Sequence, residues 1–394
     1  MLRRSVISGL AGFLLLCACA GAKDHLHTDK ASVASGSAGG TRVAVSVGQC
    51  GAGWKTSTAG LQHFTLVNTD TRSGEVSLTD ARTGAVYADV EPLGPGTSDP
   101  LTITLAAGSY RFVCSMEDED TIPGGTATVT GNLPPGETAV RPVKPVTQAD
   151  LIPATLAYTK YVRAHIPGLI SQVDALDAAV RNRDRAAAQR AWLAGHLEYE
   201  RLGAAYDAFG DLDGEINGLP AGPNDHDWTG FHLVEQGLWH GAPVASVRPA
   251  ADALTDAVRK LQQQMATAQI DPLQISIRAH EITENALQFE LTGRTDFGSN
   301  SNLATVRANL EGTATVLDLI KPLLTGRYAQ WPQTQGALQR AQADIAVLAG
   351  AGGSLPALGG LSRTQRERID SDISELSERL APIASILEPR RASS

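Results

Sequence analysis

The chain has 394 residues, enough for two or three domains with substantial cores. Its apolar content of 42% and charged content of 19% are those of an ordinary globular protein. A net charge of −9 argues against a nucleic-acid partner and is compatible with cation binding.

Residues 1–19 read as an export signal. Arg3 and Arg4 form a basic start, and Ile7 to Leu16 form an apolar run too short to span a membrane. Leu16-Cys17-Ala18-Cys19 is similar to a bacterial lipobox, with Cys19 as the lipidation site and the membrane surface as a partner. Cleavage near Ala20 as a plain secretory signal is the alternative. Both readings export the chain to the cell envelope, either the periplasm or the outer face of the cytoplasmic membrane. Residues 20–41 are rich in Ser, Gly and Ala and read as a flexible tether, in which His25 and His27 are incidental.

Over residues 42–131 the hydrophobic period is two. Val43, Val45 and Val47 alternate, as do Leu101, Ile103 and Leu105, then Tyr110, Phe112 and Cys114, then Ala127 and Val129. Gly/Pro turn signals fall between these runs, so the pattern predicts an all-β sandwich. Residues 132–147 hold the prolines of an extended linker. From 148 to 388 the period becomes helical. Leu169, Val173, Leu176 and Val180 form one stripe, and Leu303, Val306, Leu310, Leu317 and Ile320 form another. Ile369, Ile373, Leu376 and Leu380 mark a last amphipathic helix, and the segment reads as an all-α bundle.

The stretch Thr229 to Trp239 carries the chemistry. His232 and Glu235 lie one helical turn apart on a segment that is apolar on most of its circumference. A carboxylate there needs a partner, and an imidazole–carboxylate pair one turn apart can chelate a metal. Leu193, Leu197, Glu200 and Ala204 step along another helix and place Glu200 on its apolar stripe, while His196 reads as a helix-surface residue. Asp213 follows in Asp211-Leu212-Asp213-Gly214, where that helix should stop near Gly210, and Glu290 sits between Leu287 and Leu291. Acids and one imidazole converging in a bundle core suit iron, manganese or zinc. His226 and His240 flank the motif and read as solvated.

Tyr199-Glu200-Arg201, then Phe209 to Gly214, then Thr229 to Glu235 together resemble the imelysin-like family, and within it the EfeO-type iron-uptake lipoproteins. The resemblance covers about residues 42–388 and implies a cupredoxin-like sandwich followed by an imelysin-like bundle. It implies a site for ferrous or ferric iron made by Glu200, Asp213, His232 and Glu235, with Glu290 as a further acid. It also implies two partners, an iron permease of the EfeU type and a haem peroxidase of the EfeB type. Glu198 stands where relatives often carry His, and Ser301-Asn302-Leu303 departs from the family's later pattern.

For the β domain, two readings stand. Cys50 and Cys114 form a disulfide, or, as the resemblance implies, Cys50, Glu75, Cys114 and Met116 hold copper or a second iron. No His lies between Ser115 and Pro123, just after Cys114, so an ordinary blue-copper site is excluded. A zinc peptidase of the His-Glu-x-x-His type is disfavoured, because Leu233 follows His232 and no second His lies four residues on. A metallopeptidase or a polysaccharide-binding adhesion module remain the rival readings.

Overall fold

A computed structural model describes residues 40–389, apart from 223–224 and 226–227. The export signal, Cys17, Cys19, His25, His27 and His226 lie outside the described residues. Among the described residues nine strands come first: β1 (Thr41–Val45), β2 (Thr56–Thr58), β3 (Gly60–Asn68), β4 (Gly74–Asp80), β5 (Val86–Leu93), β6 (Ser98–Leu105), β7 (Gly108–Met116), β8 (Ile122–Pro123) and β9 (Ala127–Thr130). One sheet has the order β1-β3-β6 and the other the order β2-β9-β7-β4-β5, with β8 beside β7.

The alternation seen in the sequence is what seals the two sheets together. Val43, Phe64, Leu66, Ile103 and Leu105 from one sheet meet Val76, Leu78, Tyr110, Phe112 and Val129 from the other in a single buried cluster. Trp54 packs edge-on to Phe64 and Phe112 at centroid distances of 4.9 and 5.7 Å. Cys50 and Cys114 are joined across this core as a disulfide.

Ten helices follow. They are α1 (Gln148–Arg181), α2 (Arg185–Glu200), α3 (Tyr206–Phe209), α4 (Asp211–Asn217) and α5 (Gly230–Trp239), then α6 (Arg248–Met265), α7 (Gln274–Asn285), α8 (Asn302–Leu324), α9 (Trp331–Ala346) and α10 (Arg363–Leu387). Capping boxes start α1, through Thr147 and Asp150, and α10, through Ser362 and Gln365. The predicted stripes of α1, α8 and α10 all lie in one buried core. A sandwich followed by an all-α bundle is therefore the architecture, as the two hydrophobic periods predict. Among the described residues no helix is long and apolar enough to cross a membrane.

Two details position the site. The helix carrying Glu200 stops earlier than expected: α2 ends at Glu200, and the chain turns through Gly203–Ala205 into α3. Gly210, with φ of 57°, then starts α4, so Asp213 sits on a short helix of its own. Gly230 opens α5 with φ of 70°, and a Cβ there would lie 2.0 Å from the Ile216 carbonyl oxygen. Gly230→Ala is expected to destabilise the bundle by about 2 kcal/mol or more, from positive φ and the clash together. Urea unfolding would measure it, and an unchanged midpoint would contradict this account.

Candidate metal centre

His196 on α2, Glu200 at its end, His232 and Glu235 on α5, and Glu290 are all buried, with exposures of 2, 8, 2, 1 and 9%. The reason they meet is close helix packing. Gly195 lies against α5, where a Cβ would come within 3.2 Å of the Phe231 ring. The indole of Trp192 donates to the Phe231 carbonyl at 2.7 Å and ties the two helices together. The His196 and His232 rings consequently stand edge to face, with centroids 5.4 Å apart.

Each carboxylate is held by neutral donors. Asn217 of α4 and Asn309 of α8 donate to the two oxygens of Glu200 at 2.9 and 2.8 Å. The backbone N–H groups of Phe297 and Ser299 donate to Glu235 Oε1 at 3.0 and 2.9 Å. Thr295 and Asn302 donate to Glu290 at 2.5 and 3.2 Å. Such donors fix the orientation of each carboxylate without neutralising its charge. The imidazoles approach the acids closely, His196 Nε2 to Glu200 Oε1 at 3.2 Å and His232 Nδ1 to Glu235 Oε2 at 3.5 Å. These approaches are not aligned as hydrogen bonds: both His196 nitrogens, His232 Nδ1 and Glu235 Oε2 are buried without a hydrogen-bond partner.

The electrostatics reflect crowded acids. Burial, reinforced by the charge of Glu200, pushes the Glu290 carboxyl up to about 7. Burial also raises Asp213, and the Glu200 charge adds to the shift. For Glu200, burial acts upward, but His196 and Asn309 outweigh it and hold the carboxyl below its usual value. For Glu235 the upward push of burial is likewise exceeded by His232 and Ser299. Burial pulls both imidazoles down. It prevails at His232, whereas at His196 the carboxylates of Glu200, Glu290 and Glu235 win and raise it.

The structure thus brings Glu200, His232, Glu235 and Glu290 into one core region. Asp213 stands at its edge, accepting from Tyr199 Oη at 2.5 Å, on the same short helix as Asn217. Sequence reasoning placed His196 on the surface; the structure buries it, because the inward face of α2 is Trp192, Gly195, His196, Tyr199 and Glu200, with Leu193 and Leu197 only half-buried. Asn217, Thr295, Asn302 and Asn309 were also missed. His240 is exposed as expected.

In the β domain the sulfur-based metal set is corrected. Cys50 and Cys114 are bonded to each other, so neither offers a thiolate. Glu75 is paired in register with Ser115, one step from the Val76–Cys114 pair, so its side chain leaves the opposite face of the sheet from Cys114 and the buried Met116. Glu75 instead groups with Asp89 and Glu91. Their carboxylate oxygens lie within 4.8 Å of one another, the one such trio of His, Cys, Asp or Glu donors among the described residues. The bundle donors are set wider than that. The trio lines a cleft of about 1180 Å³ that the end of α10 closes with Ser385 and Glu388. This cleft is separate from the bundle donors, whose burial marks them out more strongly than cavity size does.

A family model, Imelysin, matches residues 154–383, and the chain belongs to that family. Among curated proteins it is similar to the iron uptake system component EfeO of Yersinia pestis, 29% identical over 243 residues, which are 61% of this chain and 62% of that protein. The component of the same name from Escherichia coli O6:K15:H31 (strain 536 / UPEC) is 27% identical over 246 residues, 61% of this chain and 63% of that protein. The chain thus spans about 62% of the length of the curated relatives it matches.

Proposed function

We propose that this protein is the extracytoplasmic iron-binding component of an iron-uptake system, carrying its cargo in the helical bundle. Glu200, His232 and Glu235, with Asp213 and Glu290, capture a ferrous or ferric ion and release it to a membrane permease of the EfeU type. A haem peroxidase of the EfeB type acts alongside, and a lipid on Cys19 keeps the protein at the membrane. The observation that carries this reading is the buried set of nitrogens and a carboxylate oxygen left without hydrogen-bond partners beside other acids. Burying such groups unpaired is costly, and a bound cation would pair the Glu235 oxygen and an imidazole nitrogen together. The names of the relatives point the same way.

The acids are held in orientations that leave an oxygen for a cation. Glu235 Oε1 already accepts two backbone N–H groups, and Glu200 accepts two side-chain amides. Equilibrium titration of the mature protein with ferrous ion under anaerobic conditions, and with chelated ferric ion, tests the proposal. Glu235→Gln is expected to weaken binding by about 100-fold or more, since even residues that only orient ligands typically contribute 10–100-fold. Equal affinity in wild type and variant, or proteolysis abolished by His232→Ala, would overturn it.

A further inference from the structure

We propose that His196 is a second imidazole ligand of the captured cation and the residue that turns the site against calcium and magnesium. The proposal rests on the bundle being the iron site. Three observations carry it.

First, His196 is almost fully buried, and neither ring nitrogen has a hydrogen-bond partner. An ordinary core histidine satisfies at least one nitrogen, because leaving a buried polar group unmade costs about 1–3 kcal/mol. Second, the ring is aimed. Trp192 stacks on it at 5.0 Å and Phe231 stands beside it at 5.4 Å, which fixes its plane among apolar neighbours. Its Nε2 edge meets Glu200 at 3.2 Å, and His232 lies across from it. Third, the neighbouring position is occupied otherwise. Glu198, the nearest acid in sequence on α2, is tied instead to His165 at 2.6 Å and to Arg201 at 3.3 Å, which leaves His196 as the imidazole on the inward face.

Two imidazoles change what the site selects. Carboxylates alone suit hard cations such as Ca²⁺ and Mg²⁺, which take oxygen ligands. Each nitrogen donor shifts preference toward Fe²⁺, Co²⁺ and Zn²⁺. His196 therefore sets selectivity more than total charge does.

The test uses Co²⁺ as an air-stable probe of the full mature protein, together with Fe²⁺ and Ca²⁺ titrations. Proton NMR of the Co²⁺-loaded wild type is expected to show strongly shifted exchangeable imidazole signals from two histidines. His196→Gln should remove one of them and weaken Co²⁺ and Fe²⁺ binding by about 10–100-fold, with Ca²⁺ affinity unchanged. A wild-type spectrum with one shifted imidazole overturns the proposal without needing any variant to fold, as does a folded His196→Gln protein with unaltered Co²⁺ affinity. Wild type that binds iron but gives either of those results leaves the iron-carrier reading standing. Wild type that binds neither metal removes both.

Discussion

Replacing Cys50 and Cys114 together with alanine is expected to destabilise the sandwich by about 4 kcal/mol. The two residues are 64 apart in sequence, and closing a loop of that size in the unfolded chain accounts for a loss of this order. In a domain of this size the corresponding fall in melting temperature is about 20 °C. Differential scanning calorimetry of the oxidised wild type and the double variant would read it as one transition moving down. Iron binding by the bundle should be unaffected, because none of the bundle donors lies in the sandwich. Two free thiols titrating in the denatured, unreduced mature protein would show that the bridge does not form.

The second large effect is a gain. In the metal-free protein, Glu290→Gln is expected to raise stability by about 3 kcal/mol above pH 8 and to change it little below pH 4. Glu290 titrates at 4.5 unfolded and near 7 when folded, so the folded state holds its proton longer. Its favourable contribution is complete below 4.5 and is lost as pH rises through 7. Above that, the folded protein carries a charge beside Glu200 that the neutral amide avoids. Glu200 and Glu235 are shifted downward and contribute with the opposite sign in acid, but the difference between wild type and variant cancels them. Urea unfolding at pH 5 and pH 8.5 measures the gap; a gap that does not widen with pH would refute the assignment. The same substitution should weaken iron binding, giving a more stable and less capable protein.

The architecture was legible because both hydrophobic periods are strong. Val43 and Val45, and Leu169 through Val180, point inward as their spacing requires. The site was half legible. His232 and Glu235 stand out in sequence because an apolar helix isolates them. His196 was misjudged because leucines were weighted over aromatic and small residues: Leu193 and Leu197 suggested one face of α2, whereas Trp192, Gly195 and Tyr199 define the buried one. Gly195 admits the neighbouring Phe231, a requirement invisible without the partner helix. Asn217 and Asn309 were beyond reach for a similar reason, since each donates to Glu200 from an element distant in sequence. Glu75 was placed beside the cysteines, although strand alternation assigns it to the other face.

Pro389 pairs with Val146 in a parallel bridge, and the neighbouring Glu388 lines the acidic cleft. A bulky label attached at Glu388 would therefore sit in that groove and crowd it. The same label at the exposed Gly359–Gly360 turn would leave the groove open, so labelling strategies for this protein should favour that turn over the segment after α10.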